Sequence, residues 1–274
     1  MKPAAFSHLR AETPAAVADG LQAENSKIIA GGQSLGPMLN LRLARPTQLV
    51  GLNILPGMEA ASERGDTIVI GAGVTHARIE DGACGVDLPP MMRHVARSIA
   101  YRAVRNKGTI GGSLAHADPA ADWVTVMTAL DASLLLHAPD GSQRRLPMRD
   151  FMLGAYRTAL APREYVEAVE VATTMRGALW GYDKLCRKVG EFADAIGALV
   201  LDPSTGYARL VAGATGARPL ILSGLAGDIA RNARHPGEAA VHTALTEQLP
   251  DSDPVKLHLL TTALCRAIEK VIPA

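Results

Sequence analysis

Two pairs of adjacent glycines, Gly31-Gly32 and Gly111-Gly112, constrain this chain more than any other feature of its sequence. Each stands in a loop beside an apolar run: IIAGGQSLG at 28–36 and GTIGGSLAHADPAAD at 108–122. Without a Cβ, backbone can approach a neighbour or a ligand closely and can enter the left-handed region. Each pair also has hydroxyls beside it, Ser34 in the first loop and Thr109 with Ser113 in the second. Such loops can present consecutive N–H groups to a pyrophosphate. Taken singly, each reads as a plain tight turn. Two loops of the same chemistry in one region point to a shared binding edge.

A third glycine stretch, Gly71-Ala72-Gly73-Val74-Thr75-His76, follows the strand-like DTIVI and imitates a dinucleotide fingerprint. It lacks the third small residue, because His76 stands there, and PPMMRHVAR reads as helix where an acidic strand end is needed. It is expected to be a turn between a strand and a short helix. No Gly-Lys-Ser/Thr triplet follows any of the three loops, which excludes a P-loop nucleotidase.

Hydrophobic periodicity places the remaining elements. Thr13-Pro14 opens a helix over AAVADGLQ, with Thr13 as N-cap and proline in the first turn. SKIIA, TQLVGLN and DTIVIGA read as strands, and THARIED as a short helix. One helix is expected from Pro90 to about Ala103, and another from an Asp118-Pro119 start through Trp123, Val126 and Leu130. SLLLHA and RRLPM form a hairpin over APDGS, with Arg144-Arg145 on a solvated strand edge, and REYVEAVEVA is a further strand. Beyond Thr173-Thr174 the pattern changes to three strands, ALWGYDKLCRK, AIGALVLD and ARLVAGAT, then two helices, the last from about Asp253 to Ile272. A boundary near residue 175 follows, giving domains 1–175 and 176–274.

Composition narrows the function. Lys plus Arg number 28 against 27 for Asp plus Glu, so nothing draws the chain to nucleic acid or an anionic membrane. Aromatic residues, at 4%, offer few platforms for single-stranded nucleic acid. Cys84, Cys186 and Cys265 are far apart, so the chain supplies no cysteine set for zinc or an iron–sulfur cluster and suits a reducing compartment. MKPAAFSHLRAETP has no apolar signal region and no segment approaches a membrane span, so a cytoplasmic location is expected.

AGGQSLGPMLNLRLARPTQLVGLN and VRNKGTIGGSLAHADPAADWVTVMTALDA, at their mutual distance, resemble the two signature segments of the FAD-binding medium subunit of molybdenum hydroxylases. That family includes the carbon monoxide dehydrogenase flavoprotein and the xanthine dehydrogenase flavin domain. The likeness covers nearly the whole chain, including YDKLCRKVGEFA. It implies an α+β fold: a two-subdomain FAD-binding part of the vanillyl-alcohol oxidase/p-cresol methylhydroxylase type, then a small α+β C-terminal domain. It further implies that FAD lies against Ile28, Ile29, Ala30, Gly31, Gly32, Gln33, Ser34 and Leu35 on one side. Thr109, Ile110, Gly111, Gly112 and Ser113 would form the other side, with Asp122, Ile99, Val166 and Lys184 as further contacts. Gln33 stands where distant relatives of this fold carry a histidine for covalent attachment, so the FAD is expected to be dissociable. The chain departs from its relatives at Glu191-Phe192, where Asp-Tyr is common, at Lys107 for arginine, and at Gly36 for a larger aliphatic residue. His116, Asp118 and Asp122 read as helix start and surface rather than as a metal cluster.

The resemblance implies a flavoprotein subunit that takes electrons from [2Fe-2S] clusters of a small partner subunit and passes them to an external acceptor. A large partner would hold molybdopterin and act on the substrate, in a dimer of heterotrimers. Catalytic acid–base residues are not required in this chain, nor is a metal. A freestanding FAD-dependent oxidoreductase and a non-catalytic assembly subunit remain open alternatives at this point; intact glycine pairs speak against the second.

Overall fold

The computed structural model describes residues 2–273, so Met1 and Ala274 lie outside it. The chain opens on a parallel sheet of β1 (Ser7–Arg10), β2 (Ser26–Ile29) and β3 (Gln48–Gly51), ordered β1-β3-β2. α1 (Pro14–Gly20) and α2 (Leu35–Asn40) connect these strands. As expected, Thr13 caps α1, its Oγ1 accepting from the Ala16 N–H at 3.2 Å.

A five-stranded antiparallel sheet follows, ordered β4-β5-β10-β6-β7. Its strands are β4 (Ala61–Arg64), β5 (Thr67–Gly71), β6 (Ser133–His137), β7 (Gln143–Pro147) and β10 (Tyr165–Ala172). Between β5 and β6 run α3 (His76–Asp81), α4 (Pro90–Ser98), α5 (Arg102–Arg105), α6 (Ile110–His116) and α7 (Asp122–Ala129). α8 (Met148–Phe151) and the hairpin β8 (Met152–Gly154) and β9 (Arg157–Thr158) precede β10. A 3-10 turn, Thr173–Arg176, then leads into a four-stranded antiparallel sheet. It comprises β11 (Leu179–Leu185), β12 (Ala195–Asp202), β13 (Tyr207–Gly213) and β14 (Leu220–Ile221). α9 (Ser223–Asn232), α10 (Glu238–Gln248) and α11 (Pro254–Glu269) complete the chain.

Four expectations change. The single helix over 90–103 is two helices: α4 stops at Ser98, Ile99 is extended and Ala100 takes a left-handed φ of 43°. The Arg105 guanidinium satisfies the carbonyls freed by that break, donating to Ile99 and Ala100 oxygens at 3.0 and 2.9 Å. Asp118 does not cap a helix. Its carboxylate accepts from the Ala120 N–H at 2.9 Å in a turn, and α7 starts four residues later, at Asp122. Three helices close the chain where two are expected, because α9 carries two glycines that weaken its helical signal. Gly111 and Gly112, expected in a tight turn, lie in the first turn of α6, which Thr109 caps. Arg144 and Arg145 lie, as expected, on the exposed edge strand β7, where they pair with Glu164 at 2.7 Å and Glu170 at 3.0 Å.

Helix α7 is buried along its entire length and packs against β12 and β13, while α11 covers β11 and β12 from the other face. A strand covered on both faces reads as an unbroken apolar run, which is what AIGALVLD shows. Tyr182, Ile196, Ala198 and Val211 share one core cluster with Ile68, Trp123 and Val169 of the preceding part. A second core lies under α9, α10 and α11. Among the described residues no helix is long and apolar enough to cross a membrane.

Candidate functional site

A cleft of about 630 Å³ opens where the two glycine loops meet. Its first wall begins as β2 ends at Ile29, and Gly32 turns the chain with a φ of 69° before α2 starts at Leu35. Among the described residues, none accepts a hydrogen bond from the backbone N–H of Gly31, Gly32, Gln33, Ser34 or Leu35. Five consecutive unpaired donors on one concave wall call for an acceptor from outside the fold. The Gln33 side chain turns back on its own loop, its Nε2 donating to the Gly31 carbonyl at 3.1 Å.

The second wall is built differently. Thr109 caps α6, its Oγ1 accepting from the Gly112 N–H at 3.0 Å. The N–H groups of Ile110, Gly111 and Ser113 go to the carbonyls of Val74, Ala72 and Thr109. This loop therefore spends its backbone donors on holding itself against residues 72–74, and it offers the cleft bare glycine backbone and the Ser113 hydroxyl. The two walls touch. A Cβ on Gly31 would lie 1.8 Å from the Lys107 carbonyl oxygen, and one on Gly111 would lie 2.3 Å from the Ala72 Cβ. These two glycines are demanded by backbone packing, whereas Gly32 is demanded by its φ. The third glycine stretch is the turn that its sequence predicts, with Gly71 and Gly73 pressed on the carbonyls of Gly57 and Met58.

The far side of the cleft carries charge. Asp122, at the start of α7, accepts from the Tyr182 hydroxyl at 2.5 Å and from the Lys184 ammonium at 3.1 Å, both on β11. The Lys184 side chain is 7% exposed and that of Asp122 is 6%. Burial first, then the neighbouring Asp122 carboxylate, holds the Tyr182 phenol well above its ordinary pKa. Ile99 and Val166 add apolar surface, Val166 at a bulge in β10. A strap after β11 brings Glu191 and Phe192 to the mouth, with Phe192 63% exposed. Gly190, at a φ of 90°, lets that strap approach the Ala100 carbonyl.

Sixteen of the residues singled out from sequence line this cleft. Ile110 does not: its side chain is in the core, and its N–H is held by Val74. His116 and Asp118 also line it, engaged by Tyr156 through a ring contact and a 3.2 Å hydrogen bond.

Sequence reasoning missed His76, Leu160 and Tyr165 as lining residues. His76 is instructive, because its place at the start of α3 gives no local signal. The Trp123 indole N–H donates to its Nδ1 at 3.0 Å. Burial, and secondarily the charge of Arg105, lowers its pKa to about 4. The unfolded chain takes up this proton near pH 6.5 and the folded chain refuses it until about pH 4. Stability of the ligand-free chain should therefore fall as pH drops through that window, by roughly 3 kcal/mol from this residue. Urea midpoints at pH 7 and pH 4.5 should show a smaller drop in His76→Gln than in wild type.

The site fits a diphosphate-bearing cofactor. The free N–H groups suit phosphate oxygens, and the closest glycines are those that a Cβ would drive into opposing backbone. Residues 4–173 match the model of the FAD binding domain in molybdopterin dehydrogenase. The chain is 37% identical over 206 residues to the nicotine 6-hydroxylase medium subunit of Paenarthrobacter nicotinovorans, covering 74% of this chain and 71% of that protein. It is 36% identical over 212 residues to the carbon monoxide dehydrogenase medium chain of Afipia carboxidovorans, covering 75% and 72%. The reconstituted CO dehydrogenase from Oligotropha carboxidovorans superposes with a TM-score of 0.87 at 30% identity, over 99% of both chains. Quinoline 2-oxidoreductase from Pseudomonas putida 86 gives 0.85 at 30% identity, over 99% of this chain and 98% of that one. The chain belongs to the family of FAD-binding domains of molybdopterin dehydrogenases, the FAD-containing oxidoreductase components of the molybdenum hydroxylase class.

Proposed function

We propose that this chain is the medium subunit of a heteromeric molybdenum hydroxylase, in which it carries electrons from a partner's [2Fe-2S] clusters to an external acceptor. The observation that carries this reading is the run of five unpaired N–H donors on the cleft wall where the two glycine loops meet. Residues 28–35 with Thr109, Gly111, Gly112 and Ser113 hold the FAD diphosphate between them. Ile110 contributes from behind by fixing its loop to Val74. Asp122 and Lys184 orient the flavin from the far side as a paired, net-neutral unit, and Ile99 and Val166 exclude water. Bound there, FAD supplies one- and two-electron redox chemistry, which no side chain of this chain replaces. Residues 1–175 form the FAD-binding domain and 176–274 a C-terminal flavoprotein domain whose β11 completes the cleft through Lys184.

Partners follow from relatives named as medium subunits or chains. A small subunit with [2Fe-2S] clusters and a large molybdopterin subunit assemble with this chain in the cytoplasm, as a dimer of heterotrimers. The cofactor is held without a covalent bond, since the Gln33 amide cannot form the link for which distant relatives of this fold carry a histidine.

The test is a visible spectrum of the purified chain after FAD is added and free cofactor removed. A retained flavin spectrum that acid precipitation releases as FAD is expected. A folded chain that retains none, alone and in the co-purified complex, would overturn the relay.

A further inference from the structure

The wall between the second loop and the third glycine stretch is formed by the His76 imidazole, which is 5% exposed. Its Nδ1 is the acceptor for Trp123 Nε1–H. An indole nitrogen can only donate, so this bond places the imidazole proton on Nε2. The backbone holds the ring in place as well, because the His76 N–H donates to the Gly108 carbonyl at 2.9 Å. Gly108 is bare where the ring rests: a Cβ there would lie 2.8 Å from Nε2. Among the described residues nothing accepts from that Nε2–H, although the ring lines the cleft. The Nε2–H is left facing the cleft, where an acceptor on a bound ligand can meet it.

We propose that His76 is a cofactor-binding residue whose Nε2–H donates to an oxygen of FAD bound in the cleft, with Trp123 fixing the tautomer that makes this donation possible. The proposal rests on the reading of the cleft as an FAD site. It adds a neutral side-chain donor beside Gly108, the residue that Gly31 also abuts, while the cation Lys184 remains matched by Asp122. Burial keeps the imidazole uncharged at neutral pH, so the contact adds direction rather than charge.

The experiment uses the full chain and FAD. Wild type, His76→Gln and His76→Leu are compared by flavin-fluorescence titration and by thermal midpoint. Glutamine keeps an N–H near the Nε2 position and leucine keeps none. His76→Leu should weaken FAD binding about tenfold or more, and His76→Gln should recover most of it. Both variants disturb the Trp123 partner, so a merely structural residue would make FAD affinity follow the thermal midpoint in both. Long-range 1H–15N spectra of wild type should show the Nε2–H tautomer, with its proton resonance shifted on FAD addition. They decide the matter should His76→Leu fail to fold. Equal FAD affinity in folded His76→Leu, an Nδ1–H tautomer, or an Nε2 resonance indifferent to FAD would overturn the proposal. A wild-type chain that binds no FAD at all would instead overturn the reading of the cleft on which it rests.

Discussion

Gly31→Ala is expected to lower FAD affinity by about a hundredfold or more and to cut the thermal midpoint by several degrees. The added methyl would sit 1.8 Å from the Lys107 oxygen, 2.5 Å from its carbonyl carbon and 2.9 Å from the Gly108 Cα. All three are backbone atoms, so no rotamer can relieve the clash, and the two loops must part. Overpacking of this kind costs about 1–3 kcal/mol or more, and the movement that relieves it displaces the free N–H groups. Gly36→Ala is the matched control. Its Cβ would meet nothing within 4 Å, and its place in α2 favours alanine, so affinity and midpoint should hold. Equilibrium titration of both variants decides the point. Wild-type affinity in Gly31→Ala would show that the loops do not act as one cradle.

Asp122→Ala should be the most destabilising change in the cleft. It leaves the Lys184 ammonium and the Tyr182 hydroxyl buried with no acceptor. Breaking a buried pair from one side costs about 3–5 kcal/mol, on the order of 10 °C for a chain of this size. Replacing both partners by apolar groups costs much less, so Asp122→Ala with Lys184→Met should be more stable than Asp122→Ala alone. A double-mutant cycle from urea unfolding measures this coupling, and simple additivity would contradict the pairing.

What was legible in the sequence follows the range of the forces involved. Thr13 with Pro14 and the first glycine pair are local signals, and the structure places each where the sequence does; the second pair sits instead in the first turn of α6. The strands β2, β3, β5, β10, β12 and β13 announce themselves through apolar runs. β1 does not, because it is four largely exposed residues whose partner, β3, arrives about 40 residues later. The break at Ile99–Ala100 is equally silent: helical spacing continues across it, and the Arg105 guanidinium, from beyond it, takes up the freed carbonyls. Within the site, backbone-shaped features could be read and side-chain partnerships could not. Nothing in the spacing tells that Trp123 meets His76, or that Asp122 meets Tyr182 across 60 positions.

The contact between Gly31 and the Lys107 carbonyl joins points 76 positions apart, and Lys184 closes the same cleft a further 77 positions on. Contacts so distant along the chain must wait for loop-closure entropy to be overcome, so they form late in folding. During synthesis, a nascent chain ending short of β11 would have both glycine loops and still lack the cleft's third side. On the proposed reading of the cleft, flavin loading would be a readout of finished folding, since it would follow the meeting of the chain's first and last sheets.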